Sequence, residues 1–135
     1  MSELKLTEAF GKYGAKLKNP QWAFSAIAVD GSLVLSCWLH KIAFEKGGSV
    51  WRYSDCISRL RSQTHGRNLL ETHLKEAHGG KLRVRIVIVA TKETAIVDAG
   101  EDASKVAKTF DVRENFIGQL VSFDGDAYVI EFKKQ

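Results

Sequence analysis

Two Asp-Gly dipeptides, each between two apolar runs of β-prone residues, constrain the fold of this 135-residue chain more than any other feature. One is Asp30-Gly31, and the other lies within Asp124-Gly125-Asp126. Asp-Gly favours a tight type I′ turn, in which both central residues take positive φ angles. The sequence therefore predicts two antiparallel hairpins. Their strands are residues 21–29, 33–44, 117–123 and 127–132.

The middle of the chain indicates two further strands. Residues 82–89 alternate between an aliphatic face and a face that begins with Arg83 and Arg85, and this period of two is typical of a strand. Its β-branched content favours a central position in the sheet. Gly47-Gly48 predicts a turn that leads into another strand at residues 50–53.

Apolar residues at helical spacing predict short helices in three regions. The first region ends before Pro20, and the second is divided by Gly66, with Ser54 as the cap of its first piece. The second region ends at Gly79-Gly80, because a left-handed helix cap favours glycine. The three regions are residues 5–17, 54–78 and 101–108.

Composition favours one folded core. The chain is 44% hydrophobic and 27% charged, which excludes a disordered tail. At this length a single core is the usual solution. We therefore predict the α+β class: a single compact domain over residues 1–135, with a mainly antiparallel twisted sheet of about five or six strands and two or three helices.

The compartment expected from the sequence is the cytoplasm. The N-terminal segment MSELKLTEAFGKYG has no apolar core of the kind that a secretory signal needs. The most apolar run, residues 84–90, is too short to cross a membrane. Cys37 and Cys56 are expected to be free, buried thiols.

Charge is divided unevenly along the chain. Residues 1–92 carry a net charge of +8 and residues 93–135 a net charge of −4, while residues 52–92 alone carry +6. Such asymmetry points to an anionic partner, most simply nucleic-acid phosphate. The alternative is that the basic segment consists of solvated charge and pairs internally with the acidic last third.

The first functional hypothesis is a small intracellular module that binds DNA or RNA through a basic face built from residues 51–92. Arginine donates two hydrogen bonds to phosphate, and an exposed aromatic ring stacks on an unpaired base. In the competing interpretation, Trp51 and Tyr53 pack in the core and the arginines pair with acids. The residues assigned to the face are Trp51, Arg52, Tyr53, Arg59, Arg61, His65, Arg67, Arg83 and Arg85.

The alternative hypothesis is a metal-dependent nuclease that uses C-terminal carboxylates. Glu131-x-Lys133 resembles the last element of the PD-(D/E)xK nuclease motif, in which carboxylates hold a divalent metal and lysine helps to activate water. Asp126 lies near this pair in sequence, and Asp111 or Asp98 would supply the preceding aspartate. The motif's Pro-Asp dipeptide is absent.

Other signals of catalysis or of a resident cofactor are weak. The chain has no G-x-S-x-G motif, phosphate loop or dinucleotide fingerprint, and Cys37 with His40 is an isolated C-x-x-H pair. The sequence thus favours a binding protein over an enzyme and predicts no cofactor and no metal. A third hypothesis is a protein-interaction or assembly subunit, including a homodimer, in which exposed tryptophans and the two charged portions meet a partner.

Overall fold

The computed structural model describes residues 4–19, 23–60, 64–99 and 106–135. Within these ranges the chain forms three α-helices and eight strands, which confirms the α+β class with more strands than the five or six predicted. The helices are α1 (Leu6–Gly11), α2 (Thr64–Gly80) and α3 (Thr94–Asp98). The strands are β1 (Ser25–Ile27), β2 (Leu33–Trp38), β3 (Ile42–Glu45), β4 (Val50–Cys56), β5 (Arg83–Ala90), β6 (Thr109–Val112), β7 (Phe116–Phe123) and β8 (Ala127–Lys134).

All eight strands belong to one curled sheet. Their order is β1-β2-β5-β7-β8-β4-β3, with β6 paired to the second half of β5. Only the β2–β5 pair is parallel among the described strands. In a flat sheet β2 and β3 would lie about 24 Å apart. The 3₁₀ turn Leu39–Lys41, which joins them, spans at most about 14 Å, so the sheet curls until its two ends approach each other.

The main core fills the inside of this curl. Helix α2 closes the core with Leu70, Leu74 and Ala77, each at most 1% exposed. A second cluster covers the outer face of β1, β2 and β5, where α1 and the turn after it contribute Phe10 and Tyr13. Strand β5 is therefore buried on both faces along much of its length, and it occupies the central position predicted for residues 82–89.

Both predicted hairpins form, but neither turn is of the predicted type I′, because only one residue in each turn has a positive φ angle. At the β1–β2 turn only Gly31 has a positive φ angle, and its N–H donates to the Ala28 carbonyl. This geometry is a type I turn followed by a left-handed glycine, rather than a type I′ turn. At the β7–β8 turn Gly125 has a φ of 101°, and the Asp124 carboxylate accepts hydrogen bonds from the N–H groups of Asp126 and Ala127.

Three predicted boundaries in the first half are wrong. The run 33–44 is broken by the 3₁₀ turn, and α1 ends at Gly11 instead of continuing to residue 17. The helix expected from Ser54 is reduced to the 3₁₀ turn Ile57–Leu60, because β4 continues to Cys56 in register with β8. Pro20, Gln21 and Trp22 lie outside the described residues.

The predicted break in α2 is also wrong. The helix runs through Gly66 because burial of its apolar face outweighs the cost of about 1 kcal/mol for one helical glycine. It ends at Gly80 near the predicted position, but Lys81, with a φ of 52°, adopts the left-handed conformation instead of a glycine.

The last third contains two elements that were not predicted, α3 and β6. Of the helix predicted at residues 101–108, residues 101–105 lie outside the described part, and residues 106–108 are not helical. Cys37 is a buried free thiol as expected, and Cys56 is free but only partly buried. No helix in the described ranges is long and apolar enough to cross a membrane.

Candidate nucleic-acid interface

The two aromatic residues predicted to stack on a base lie in the core. Trp51 is 8% exposed, and its ring stacks on Phe116 with a centroid separation of 4.2 Å. Tyr53 is 1% exposed, and its hydroxyl donates to Asp55 at 3.3 Å. Since a buried ring has no free face for a nucleobase, the predicted stacking role of both residues is wrong.

Two of the predicted phosphate-binding arginines are engaged in ion pairs. Arg52 donates to Glu131 at 2.6 Å, and its Nε lies 3.4 Å from Glu45. Arg59 forms a bidentate pair with Asp55 and donates a third hydrogen bond to the Val97 carbonyl. The competing interpretation, in which arginines of the basic segment pair with acids, therefore describes these two residues.

Arg85 lies against the aromatic ring of Tyr13. Its guanidinium carbon is 4.7 Å from the ring centroid, one of its amino groups donates to the Glu114 carbonyl, and its Nε is buried without a hydrogen-bond partner. The Tyr13 hydroxyl donates to the Ile86 carbonyl, and burial raises the pKa of Tyr13 to about 12. Arg85 thus holds the second core cluster against the sheet.

The remaining predicted residues are divided between the two ends of α2. His65 and Arg67 lie in its first turn, and Arg61 lies outside the described residues. Arg83 begins β5, just after the other end of the helix. Because a helix rises 1.5 Å per residue, the two ends of the 17-residue α2 are separated by about 24 Å. The structure therefore does not bring all of the predicted basic residues onto one compact face.

A groove of about 380 Å³ lies where the C-terminal end of α2 meets β7. We call it the α2–β7 groove, and its lining consists of Ala77, His78, Lys81, Leu82, Gln119, Leu120 and Val121. Arg83 is the cross-strand partner of Gln119, so their side chains lie side by side on one face of the sheet. Lys81 adopts the left-handed conformation at the end of α2, two residues before Arg83, and both side chains are exposed.

The groove has a positive electrostatic character. Lys81 and His78 are exposed on its wall, and no Asp or Glu belongs to its lining. Glu131, the partner of Gln119 on β8, already pairs with Arg52, and Asp30 in the β1–β2 turn interacts electrostatically with Arg83. Within the described part of the chain, the structure records no ion pair for Lys81 or Arg83.

The sequence hypotheses included Arg83, which lies beside the groove, but assigned none of the lining residues to a site. Lys81 could have been found, because it follows the Gly79-Gly80 helix end and precedes the basic face of β5. Gln119 and Val121 gave no signal, since they lie about 40 residues further along the chain and only the β5–β7 pairing brings them near.

The carboxylates of the nuclease hypothesis do not meet. Glu131 pairs with Arg52, Asp111 accepts from Arg113 at 2.6 Å, and Asp126 accepts from the Ser58 backbone and hydroxyl. Lys133 lies 3.7 Å from Glu131 and is 67% exposed. Asp98 belongs to α3, where the hydrogen bond from His40 lowers the pKa of Asp98. Among the residues that the structure describes, no group of three or more His, Cys, Asp or Glu side chains could hold a metal ion.

A Ser–His pair on the far side of α2 is closed to substrate. The Ser25 hydroxyl lies 2.8 Å from His73 Nδ1, a distance that would suit a nucleophile and its base. Ser25, however, is only 1% exposed. The pair therefore links β1 to α2 and has a structural role.

We expect His73 to make stability depend on pH. Burial lowers the pKa of His73 below 6.5, with Glu76 acting in the opposite direction. As pH falls from about 6.5 towards that lowered pKa, the unfolded chain takes up a proton that the folded chain does not, so the free energy of unfolding decreases. Urea unfolding at pH 7.5, 6.5 and 5.5 should show this decrease, and His73→Asn should reduce it.

The acidic groups should contribute little to the change in the free energy of unfolding between pH 7.5 and 5.5. Asp30, Asp98 and Asp124 have pKa values lowered below 3.8, chiefly by hydrogen bonds to their carboxylates, and they titrate at more acidic pH. His65→Asn, at an exposed position of the same helix, serves as the control. If the free energy of unfolding of His73→Asn depends on pH as steeply as that of the unmodified protein, His73 is not the cause of the dependence.

The assembly hypothesis retains one physical basis, the edge strand β3. Phe44 is 53% exposed there and packs edge-on against Trp51 at 5.2 Å. Trp51 itself is buried, Trp38 is partly buried against Val97 and Val106, and Trp22 lies outside the described residues, so the described part of the chain shows no surface of exposed tryptophans. Unlike the α2–β7 groove, strand β3 has no positively charged side chains.

Comparison of the chain with protein-family models, with curated proteins and with solved structures gives no match.

Proposed function

We propose that this protein binds nucleic acid through the α2–β7 groove, with Lys81 and Arg83 as phosphate contacts. The observation that carries the proposal is charge: Lys81 and His78 belong to the groove's lining, which has no carboxylate, and Arg83 lies beside it as the cross-strand partner of Gln119. Arginine binds phosphate through its planar fork and lysine as a point charge. The proposed interface is therefore smaller than the basic face expected from the sequence.

We also propose that the protein acts in the cytoplasm. Two free cysteines fit a reducing environment, and cytoplasmic nucleic acid would be available there as the ligand. Phosphate contacts are the same in DNA and RNA, so the proposal covers both.

Binding should depend modestly on salt, because only two cations contact phosphate. Each phosphate contact contributes about −0.7 to −0.9 to the slope of log K against log salt, so we expect a slope of about −1.4 to −1.8. Lys81→Ala and Arg83→Ala should each reduce the slope by nearly one and weaken binding about tenfold. Fluorescence anisotropy with labelled 20-mers, titrated in 20–200 mM KCl, measures both quantities.

The control must change the net charge equally at a remote place. Lys46→Glu/Lys92→Glu alters exposed lysines at the β3–β4 turn and after β5, whereas Lys81→Glu/Arg83→Glu alters the groove. We expect only the groove variant to lose binding. Equal losses in both double variants, or no salt-dependent binding by the unmodified protein, would reject the proposal.

A further inference from the structure

We infer that the α2–β7 groove accommodates one unpaired nucleobase, so that the protein prefers single-stranded to duplex nucleic acid. This inference rests on the proposed function, since it specifies the ligand of the same site. The inference requires a contact with the base as well as with phosphate, because phosphate contacts alone would favour the duplex with its higher charge density.

The size and walls of the groove suit a single flat base. Its volume of about 380 Å³ lies at the lower end of the range for small-ligand pockets, which is about 300–1,000 Å³. Leu82, Leu120 and Val121 supply aliphatic surface, and Val121 is 50% exposed at the rim. A base inside a duplex is stacked and paired, so only an unpaired base could enter.

An aromatic wall is present at one side. The His78 ring lies on the lining, and it meets the Phe123 ring edge-on with centroids 6.0 Å apart. Histidine is among the side chains on which unpaired bases stack, and this contact tolerates any base. The edge contact with Phe123 orients the imidazole, because it restricts rotation of the ring.

Polar groups are distributed as a nucleotide requires. Gln119 carries both an amide donor and an acceptor, which matches the mixed edge of a base. The C-terminal end of α2 carries negative partial charge, which attracts base N–H donors and disfavours phosphate. Lys81 and Arg83 lie beside this end and place the phosphate next to the groove, on the side of Gln119.

The test compares probes of equal charge. A fluorescein-labelled single-stranded 12-mer with all four bases should bind about tenfold more tightly than a 12-mer of abasic phosphodiester residues. It should also bind more tightly than a 12-base-pair duplex at 50 mM KCl. The Val121→Trp variant fills the groove from an exposed strand position, and it should bind the base-containing and abasic strands with equal affinity.

Val29→Trp introduces the same side chain at a remote valine that is 94% exposed, and it should behave like the unmodified protein. Equal, salt-dependent binding of the base-containing and abasic strands would overturn the inference while leaving the proposed function intact. An unchanged base preference in Val121→Trp would also overturn it. Absence of binding to every probe would reject the proposed function together with the inference.

Discussion

Replacing Asp55 with alanine should lower the free energy of unfolding by about 3–5 kcal/mol. The Arg59 guanidinium is nearly buried, and the substitution removes the carboxylate that pairs with it. The two side chains are 3% and 11% exposed, and they are joined by hydrogen bonds of 2.6 Å and 2.8 Å. Asp55 also accepts from the Tyr53 hydroxyl. Urea unfolding followed by tryptophan fluorescence measures the loss.

The surface pair of Glu71 and Lys75 has the same spacing of four residues and provides a matched control. These side chains are 39% and 66% exposed, with a separation of 3.5 Å, so Glu71→Ala should change stability by less than about 0.5 kcal/mol. The double variant Asp55→Leu/Arg59→Met should recover most of the lost stability, because it removes the stranded charge. Similar losses in Asp55→Ala and Glu71→Ala would show that burial does not govern the pair.

The Asp55–Arg59 pair also borders a small cavity of about 60 Å³, which Tyr53 and Tyr128 help to line. Burial raises the pKa of both tyrosine hydroxyls well above 10. Both hydroxyls therefore stay neutral across the pH range in which the protein would be assayed. The unfolding measurements on Asp55 can be made at neutral pH without interference from either tyrosine.

The second large effect is expected at Gly118. A Cβ atom there would lie 2.5 Å from Cδ1 and 2.7 Å from Cε1 of Phe132, which is fully buried on the neighbouring strand. Gly118→Ala must therefore move a core ring, and it should destabilise the protein by about 2–3 kcal/mol. Denaturant midpoints at constant m value measure this change.

Gly79 offers the same substitution with the opposite expectation. It lies in α2 without a positive φ angle, and a Cβ atom there would meet no heavy atom within 4 Å. Gly79→Ala should be neutral or stabilise the protein by up to about 1 kcal/mol, since alanine restricts the unfolded chain and favours helix. A loss in Gly79→Ala as large as that in Gly118→Ala would mean that contact with Phe132 is not the cause.

The elements that could be predicted from the sequence have local physical causes. The hairpin at Gly31 and the hairpin at Gly125 depend on turn residues and on the runs beside them, and strand 82–89 depends on its period of two. The helix predicted from Ser54 failed for a non-local reason, since pairing of residues 54–56 with β8 makes them a strand. The spacing of apolar residues in that region does not reveal its partner about 70 residues away.

The candidate site was less predictable than the fold. Arg83 could be chosen from the strand pattern, but the pattern also selected Arg52, whose partner Glu131 lies 79 residues away. Asp55 and Arg59 are four residues apart, so their pairing does leave a signal in the sequence. Gln119 joins Arg83 only through the β5–β7 register.

The sequence by itself determined the α+β class, two hairpins, a central strand and the uneven distribution of charge, because each follows from neighbouring residues or from composition. Only the tertiary structure decided which cations remain available, because ion pairing depends on distances between residues remote in the chain. Pairing of β4 with β8 joins Arg52 to Glu131, while the end of α2 and the β5–β7 pairing leave Lys81 and Arg83 beside a groove without carboxylates. Strand pairing across the curled sheet thus separates the arginines that are held in ion pairs from the cations that lie beside the groove.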